Sequence, residues 1–242
     1  MEQSVYQEHI EQEETHWWFV ARRAICSSLL VLVRLPQNPV VLEAGCGSGG
    51  NLPILTKIGK VFAFELSDIM LTQAKARNIG VVEHGKLPDE IPFPEQKFDL
   101  ITMFDVLEHI EDDASALSAL VARLNSDGAL FITVPAFGWL FSQHDRLHHH
   151  FRRYSKKELI AKIQAAGLAV EYTTYWNIFL FPVVAAIRII SSKTTSKTSI
   201  GTKTPAPWLN NLMIKLVSSE KFIIPKVNIP FGLSIILTAR KK

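Results

Sequence analysis

The stretch Val40-Val41-Leu42-Glu43-Ala44-Gly45-Cys46-Gly47-Ser48-Gly49-Gly50-Asn51 constrains the fold more than any other part of the chain. An apolar run ends in a carboxylate, glycines then alternate with small residues, and Asn51 leads into Leu52, Ile54, Leu55 and Ile58. The pattern predicts a buried strand, a tight glycine turn and the start of a helix. Glycine suits the turn because the backbone reverses sharply with no Cβ between it and a ligand. The helix N-terminus that follows is expected to present free N–H groups to that ligand.

Two cofactor classes use such a turn. Gly45, Gly47 and Gly50 fit the dinucleotide spacing G-x-G-x-x-G, and Glu65 lies about twenty residues on, where a ribose-binding acid belongs. Glu43 favours the other class. A carboxylate at the strand end repels a pyrophosphate but suits a cationic amino-acid group. The alternation Glu43-x-Gly45-x-Gly47-x-Gly49 resembles motif I of the class I S-adenosylmethionine (SAM) dependent methyltransferases. That resemblance implies that Glu43 lies by the methionine end of SAM. It also implies that Gly45, Gly47 and Gly49, with Cys46 and Asn51 of the same turn, pass the ribose and methionine portions.

Along the rest of the chain, Gln3 to Val33 repeats apolar residues at spacings near three and four and predicts helix. Within it, His16-Trp17-Trp18-Phe19-x-x-Arg22-Arg23 resembles a segment of one methyltransferase subgroup, which implies a lid over the cofactor; packing of the rings on the sheet is the plainer alternative. Lys60 to Glu65 predicts a second strand, with Ser67 capping a helix from Asp68 to about Asn78. Glu65 is placed to accept both ribose hydroxyls, with Leu66 beside it. Gly80 to Glu83 predicts the third strand. The loop from His84 to Gln96 resembles the family's adenine-side loop, but Lys86 stands where many relatives carry Asp. Contacts from Gly85, Lys86 and Leu87 are therefore expected from the backbone.

The fourth strand, Phe98 to Phe104, runs into Asp105-Val106-Leu107-Glu108-His109-Ile110, the most specific local match to the methyltransferases. It places Phe104 and Asp105 at the cofactor. Leu117, Leu120, Val121 and Leu124 predict one apolar helical face, Asn125 to Gly128 a turn, and Ala129 to Pro135 a fifth strand. Ser142 to Tyr154 carries four histidines; no cysteine or carboxylate set accompanies them, so no metal site is expected. The subgroup's His-Asp and His-x-Arg-Arg-Tyr pattern implies an acceptor-site loop instead. Ser155-x-x-Glu158 is a capping box, with Gly167 ending that helix. Leu168 to Trp176 and Phe231 to Arg240 predict the last strands.

A chain of 242 residues, 48% hydrophobic, can bury one α/β core. Two cysteines give no disulfide framework, and a reducing cytoplasm is the simplest setting. The acidic N-terminus (Glu2, Glu8, Glu11, Glu13, Glu14) reads as neither signal nor transit peptide. Beyond Asn177 stand ten Lys/Arg and one acid, Glu220, against sixteen bases and twenty-two acids before it. The run Ile178 to Ile190 is too short to span a bilayer. Either it packs on the core, or with the basic residues Lys193, Lys197 and Lys203 it holds an anionic membrane surface. Ser191 to Lys203 is expected to be mobile, and Trp208 to Val217 predicts a short amphipathic helix.

The expected fold is α/β: a doubly wound, Rossmann-like sheet of seven strands, mostly parallel, with an antiparallel last strand. Its parts are an N-terminal helical lid (1–36), a SAM-binding core (37–176), an apolar and basic insertion (177–230), and a last strand with a basic tail (231–242). The expected function is SAM-dependent methyl transfer to an oxygen or nitrogen of a small or lipid-linked acceptor, with His109 and His144 as candidate bases. An NAD(P)-dependent oxidoreductase and a non-catalytic scaffold are the alternatives. Nucleic acid is not an expected partner: the body is acidic, and no Asn/Asp-Pro-Pro-Tyr-like motif follows the fourth strand.

Overall fold

Apolar runs without polar alternation become strands buried on both faces. The computed structural model describes residues 3–191 and 204–241. Its strands are β1 (Val40–Ala44), β2 (Lys60–Glu65), β3 (Val81–His84), β4 (Phe98–Phe104), β5 (Leu124–Pro135), β6 (Leu168–Trp176) and β7 (Ser234–Lys241). They form one sheet in the order β3-β2-β1-β4-β5-β7-β6. The first five run parallel, and β7 pairs antiparallel with both β5 and β6. This is the expected Rossmann-like sheet. The strand order reverses between β1 and β4, so a crevice opens at their carboxyl ends.

The helices are α1 (Gln3–Gln12), α2 (Trp17–Leu30), α3 (Leu52–Leu55), α4 (Asp68–Ala76), α5 (Asp113–Ala122), α6 (Gln143–Leu147), α7 (Lys156–Ala165), α8 (Phe181–Ser191) and α9 (Pro207–Ser218). The capping box at Ser155 and Glu158 forms as expected, and Gly167 leaves α7 at φ +91°.

Several local expectations are corrected. The N-terminal helix is two helices, broken at Glu13 to His16. The break is stabilised from far away in sequence: Asn210 of α9 accepts from the Trp17 N–H at 2.9 Å and donates to the Thr15 carbonyl at 2.8 Å. Ser67 makes no side-chain cap; its N–H is instead held by Glu65 at 2.9 Å. Asn125 to Gly128 is no turn but the irregular start of β5, with a register shift against β4 between Phe98 and Leu100. Leu124 accordingly belongs to that strand and not to the face of α5. β7 begins at Ser234 rather than Phe231, because Gly232 passes so near β6 that a Cβ would lie 2.3 Å from the Trp176 carbonyl oxygen.

The insertion contributes α8 and α9, and α9 packs on α2. Glu220, fully buried, accepts from the N–H groups of Asn177 at 2.6 Å and Ile178 at 2.8 Å, anchoring the start of the insertion. Burial pushes its carboxyl up to about 7, against the opposing pull of those amides. Among the described residues no helix is long and apolar enough to cross a membrane. Residues 192–203, with Lys193, Lys197 and Lys203, lie outside the described residues, as does the expectation of mobility there.

Candidate active site

A cleft of about 1180 Å³ opens over the carboxyl ends of β1 and β4. One wall is the glycine turn, with Gly45, Cys46, Gly47 and Asn51 lining it. Gly45, Gly47 and Gly49 all have positive φ, and a Cβ on Gly45 would meet Val106 at 2.9 Å. Gly49 and Glu43 do not line the cleft. Gly49 instead packs against Arg77 and Leu52, where a Cβ would sit 3.0 Å from each. Glu43 is fully buried behind the turn, where one oxygen accepts from Asn51 Nδ2 at 2.9 Å and the other has no hydrogen-bond partner. Burial pushes its carboxyl up to about 8, despite the Asn51 bond and the nearby Arg22 charge.

Five amides of the turn, those of Gly45, Cys46, Gly47, Gly49 and Gly50, are engaged within the protein. Gly45 and Cys46 donate to the Phe64 carbonyl and Gly49 donates to Cys46, each at 3.0 Å. Gly47 donates to Glu65 at 2.9 Å and Gly50 to Glu13 at 3.2 Å. A pyrophosphate would meet carboxylates and engaged amides here. The turn is therefore built against a dinucleotide and in favour of a neutral or cationic ligand group.

Glu13 was legible in the sequence only as one of several N-terminal acids, yet it ties the N-terminal helices to the turn. Beside the Gly50 amide it accepts from the Ser48 hydroxyl and from Arg77 at 2.9 Å. Arg77 also bonds Glu14 at 2.7 Å and the Ser48 carbonyl at 2.6 Å. Burial would raise the Glu13 carboxyl, but His9, the Ser48 hydroxyl and the Arg77 charge outweigh it and hold the group at about 2.

Arg22 makes a second contact from the N-terminal helices. Its guanidinium donates to Asp105 at 2.7 Å and lies 4.5 Å from the centroid of the Trp18 ring. Asp105, at φ +56°, also accepts from Thr133 at 3.0 Å. Its carboxylate is thus engaged by α2. Phe104 and the exposed Leu66 line the cleft with Glu65. Both oxygens of Glu65 already hold amides, those of Gly47 and Ser67; a carboxylate has about four lone-pair sites, so it can accept further bonds. In the loop after β3, Gly85 donates to the Glu65 carbonyl at 3.1 Å and Lys86 to the Glu90 carbonyl at 2.9 Å. Those two amides are engaged within the protein, and Gly85, Lys86 and Leu87 face the cleft around them.

The far half of the cleft is rich in histidine: His109, His144, His148, His149 and His150 all line it. Burial, with neighbouring imidazoles, lowers both His109 and His144 to about 3. Both candidate bases are therefore neutral at neutral pH and weaker than a free imidazole. Behind them Asp145, fully buried, accepts from His150 Nδ1 at 3.0 Å, Arg153 Nε at 2.7 Å and the Ser142 N–H at 2.8 Å. Burial opposes its charge, but His150, Arg153 and Arg188 hold its carboxyl well below the usual range. Arg152 and Tyr154 of the same segment turn inward instead, both bonding Asp113 at 2.9 Å. An apolar wall of Leu180, Val183, Val184, Ile187 and Met213 completes the cleft.

A family model described as a methyltransferase domain matches residues 16–173, well over half of the chain. The chain belongs to that family, whose class is the SAM-dependent methyltransferases. A relative from Mycolicibacterium smegmatis, described as a probable S-adenosylmethionine-dependent methyltransferase, is 28% identical over 164 residues, covering 66% of this chain and 62% of that protein. A ubiquinone biosynthesis O-methyltransferase of Pseudoalteromonas translucida is 32% identical over 149 residues, covering 53% and 63%. The chain thus spans less than two thirds of the length of each. Among solved structures, a SAM-dependent methyltransferase from Thermotoga maritima superposes with a TM-score of 0.61 over 99% of both chains at 18% identity, a likeness of fold.

Proposed function

We propose that this chain transfers the methyl group of SAM to an oxygen or nitrogen of a small or lipid-linked acceptor. The carrying observation is one continuous cleft that joins the glycine turn and Glu65 to an apolar wall supplied by the insertion. Its volume of about 1180 Å³ exceeds the roughly 300–1,000 Å³ of a single-ligand site, leaving room for donor and acceptor together. SAM supplies an electrophilic methyl group on a sulfonium sulfur. The protein's part is to align the acceptor in line with that bond and to exclude water. Glu65 accepts the ribose hydroxyls, and the spent amides of the turn favour the uncharged and cationic portions of SAM. The lid helices cover the reaction, stitched down by Glu13 and Arg22. Trp18, Phe19 and Arg22 line the cleft, which supports placing the chain in the subgroup with the N-terminal His-Trp-Trp-Phe segment.

Calorimetry provides the test. SAM should bind in the micromolar range and NAD should not bind; tight NAD binding without SAM binding overturns the proposal. With methyl-labelled SAM and separate aqueous and lipid extracts, label should pass into one extract. His109→Ala and His144→Ala should lower that transfer while SAM affinity stays intact.

A lipid-linked acceptor is favoured by one more feature. Trp208, Leu212 and Leu216 recur every fourth residue on α9 and are 70%, 54% and 39% exposed. The open face of α9 thus sets these apolar residues beside the exposed Asn211 and Lys215, a mixture that suits helices lying on a membrane. Peripheral contact with the inner, anionic face of a membrane would then present the acceptor to the cleft. Sedimentation with anionic liposomes should show salt-sensitive binding, reduced by Trp208→Ser. Protein remaining in the supernatant at low salt leaves only a soluble acceptor.

A further inference from the structure

Glu108 lies in the segment after β4, and His150 in the loop after α6. The fold brings one oxygen of Glu108 and one ring nitrogen each of His109 and His150 within 4.8 Å of one another. We propose that these three residues bind one divalent transition-metal ion in the histidine-rich half of the cleft.

Three observations support a built site. Glu108 is 1% exposed, and its Oε2 has no hydrogen-bond partner; a buried, unpaired carboxylate oxygen calls for a ligand. His150 is already oriented. Its Nδ1 faces Asp145 Oδ1 at 3.0 Å, and Asp145 is itself fixed by Arg153 at 2.7 Å. With Nδ1–H donating to that carboxylate, the lone pair of Nε2 is left for a metal, the usual carboxylate–histidine support of metal sites. The ring of His109 packs against this support, meeting His150 edge-on at 4.6 Å between centroids.

The donor set indicates the ion. Two imidazoles and one carboxylate suit Zn²⁺, Fe²⁺ or Mn²⁺ rather than the all-oxygen preference of Ca²⁺ or Mg²⁺. Bonds of about 2.1 Å would hold the three donors about 3.4 Å apart, so closure needs roughly an ångström of side-chain rotation. Three protein ligands leave at least one position open toward the cleft. Resting on the methyl transfer proposed above, a cation there would hold an acceptor oxygen and lower its pKa. The sequence alone gave no reason for a metal, because the histidine loop carries no carboxylate set of its own.

The test uses the full chain, stripped of metal by chelation and titrated with zinc chloride at neutral pH. One equivalent should bind, and His109→Ala, His150→Ala and Glu108→Gln should each weaken it by about ten-fold or more. Cobalt(II) should give visible absorption bands in the wild type that these variants lose. Circular dichroism confirms that each variant is folded. The wild type also decides alone: isotope-labelled imidazole signals of His109 and His150 should shift on adding zinc. Absence of one-equivalent binding, unshifted signals, or folded variants that bind as the wild type does would overturn the site. SAM calorimetry on the same samples separates the two proposals. SAM bound without zinc overturns only the metal site, and zinc bound without SAM overturns only the methyl-transfer reading.

Discussion

The two halves of the cleft are built on different principles. At the glycine turn, the residues that shape the wall lie within one short stretch, and the amides of Gly45, Cys46, Gly47 and Gly49 are satisfied by near neighbours or by the end of the adjacent strand. The lid and the histidine half are assembled from single polar contacts between distant segments: Glu13 to Gly50, Arg22 to Asp105, Asn210 to Thr15 and Trp17, and Asp145 to Arg153 and Arg188. Most of these contacts involve a buried charge. A contiguous turn tolerates loss of one contact because backbone geometry holds the rest. A lid pinned by isolated ion pairs does not, since removing one partner strands the other away from water.

If that contrast is right, the largest effect belongs to Arg22. Its side chain is 5% exposed and that of Asp105 13%, so Arg22→Ala should cost about 3–5 kcal/mol of stability, read from the midpoint of chemical denaturation. A loss below 1 kcal/mol would show that the lid is held by its aromatic packing instead.

Glu13 comes next. Its carboxyl falls from its ordinary 4.5 to about 2 on folding, equivalent to about 3 kcal/mol. A depressed acid stabilises the fold above its unfolded pKa and loses that contribution as pH falls through the folded one. Stability should therefore drop between about pH 4.5 and pH 2, and Glu13→Gln should both lower stability at neutral pH and flatten that acid limb. Tryptophan fluorescence during acid titration would follow it through Trp17 and Trp18.

On the other side of the comparison, Glu65→Ala should act on the ligand. Loss of charge-assisted hydrogen bonds costs about 1.5–3 kcal/mol, a weakening of SAM binding by roughly ten- to 150-fold in calorimetry. The variant should keep its fold better than Arg22→Ala does; equal destabilisation would erase the distinction between the halves. The smallest effect is expected from Asn210→Ala, about 1 kcal/mol for two part-buried bonds. Hydrogen exchange at the Trp17 amide should quicken while the amide of Gly47, held by Glu65, stays protected.

Runs rich in aliphatic, aromatic and β-branched residues, such as Phe98 to Phe104 and Leu168 to Trp176, marked strands to the residue. Turns were less legible. Asn125 to Gly128 has ordinary turn composition, yet pairing with β4 pulls it into β5. The break at Glu13 to His16 carries no glycine or proline, and its stabilising partner Asn210 is nearly two hundred residues away.

What the sequence determined by itself is whatever depends on spacing along the chain. That covers the alternating sheet, the glycine turn with Glu65 beyond it, the capping box at Ser155, and membership of a methyltransferase family. Tertiary structure alone decided which charges meet. It turned Glu43 away from the cleft and gave Glu13 the Gly50 amide. It closed Asp105 with Arg22, and it set Glu108 beside two histidines. Hydrophobic periodicity records which face of an element is buried, but a buried charge is defined by its partner, and chain order does not encode a partner brought in from another element.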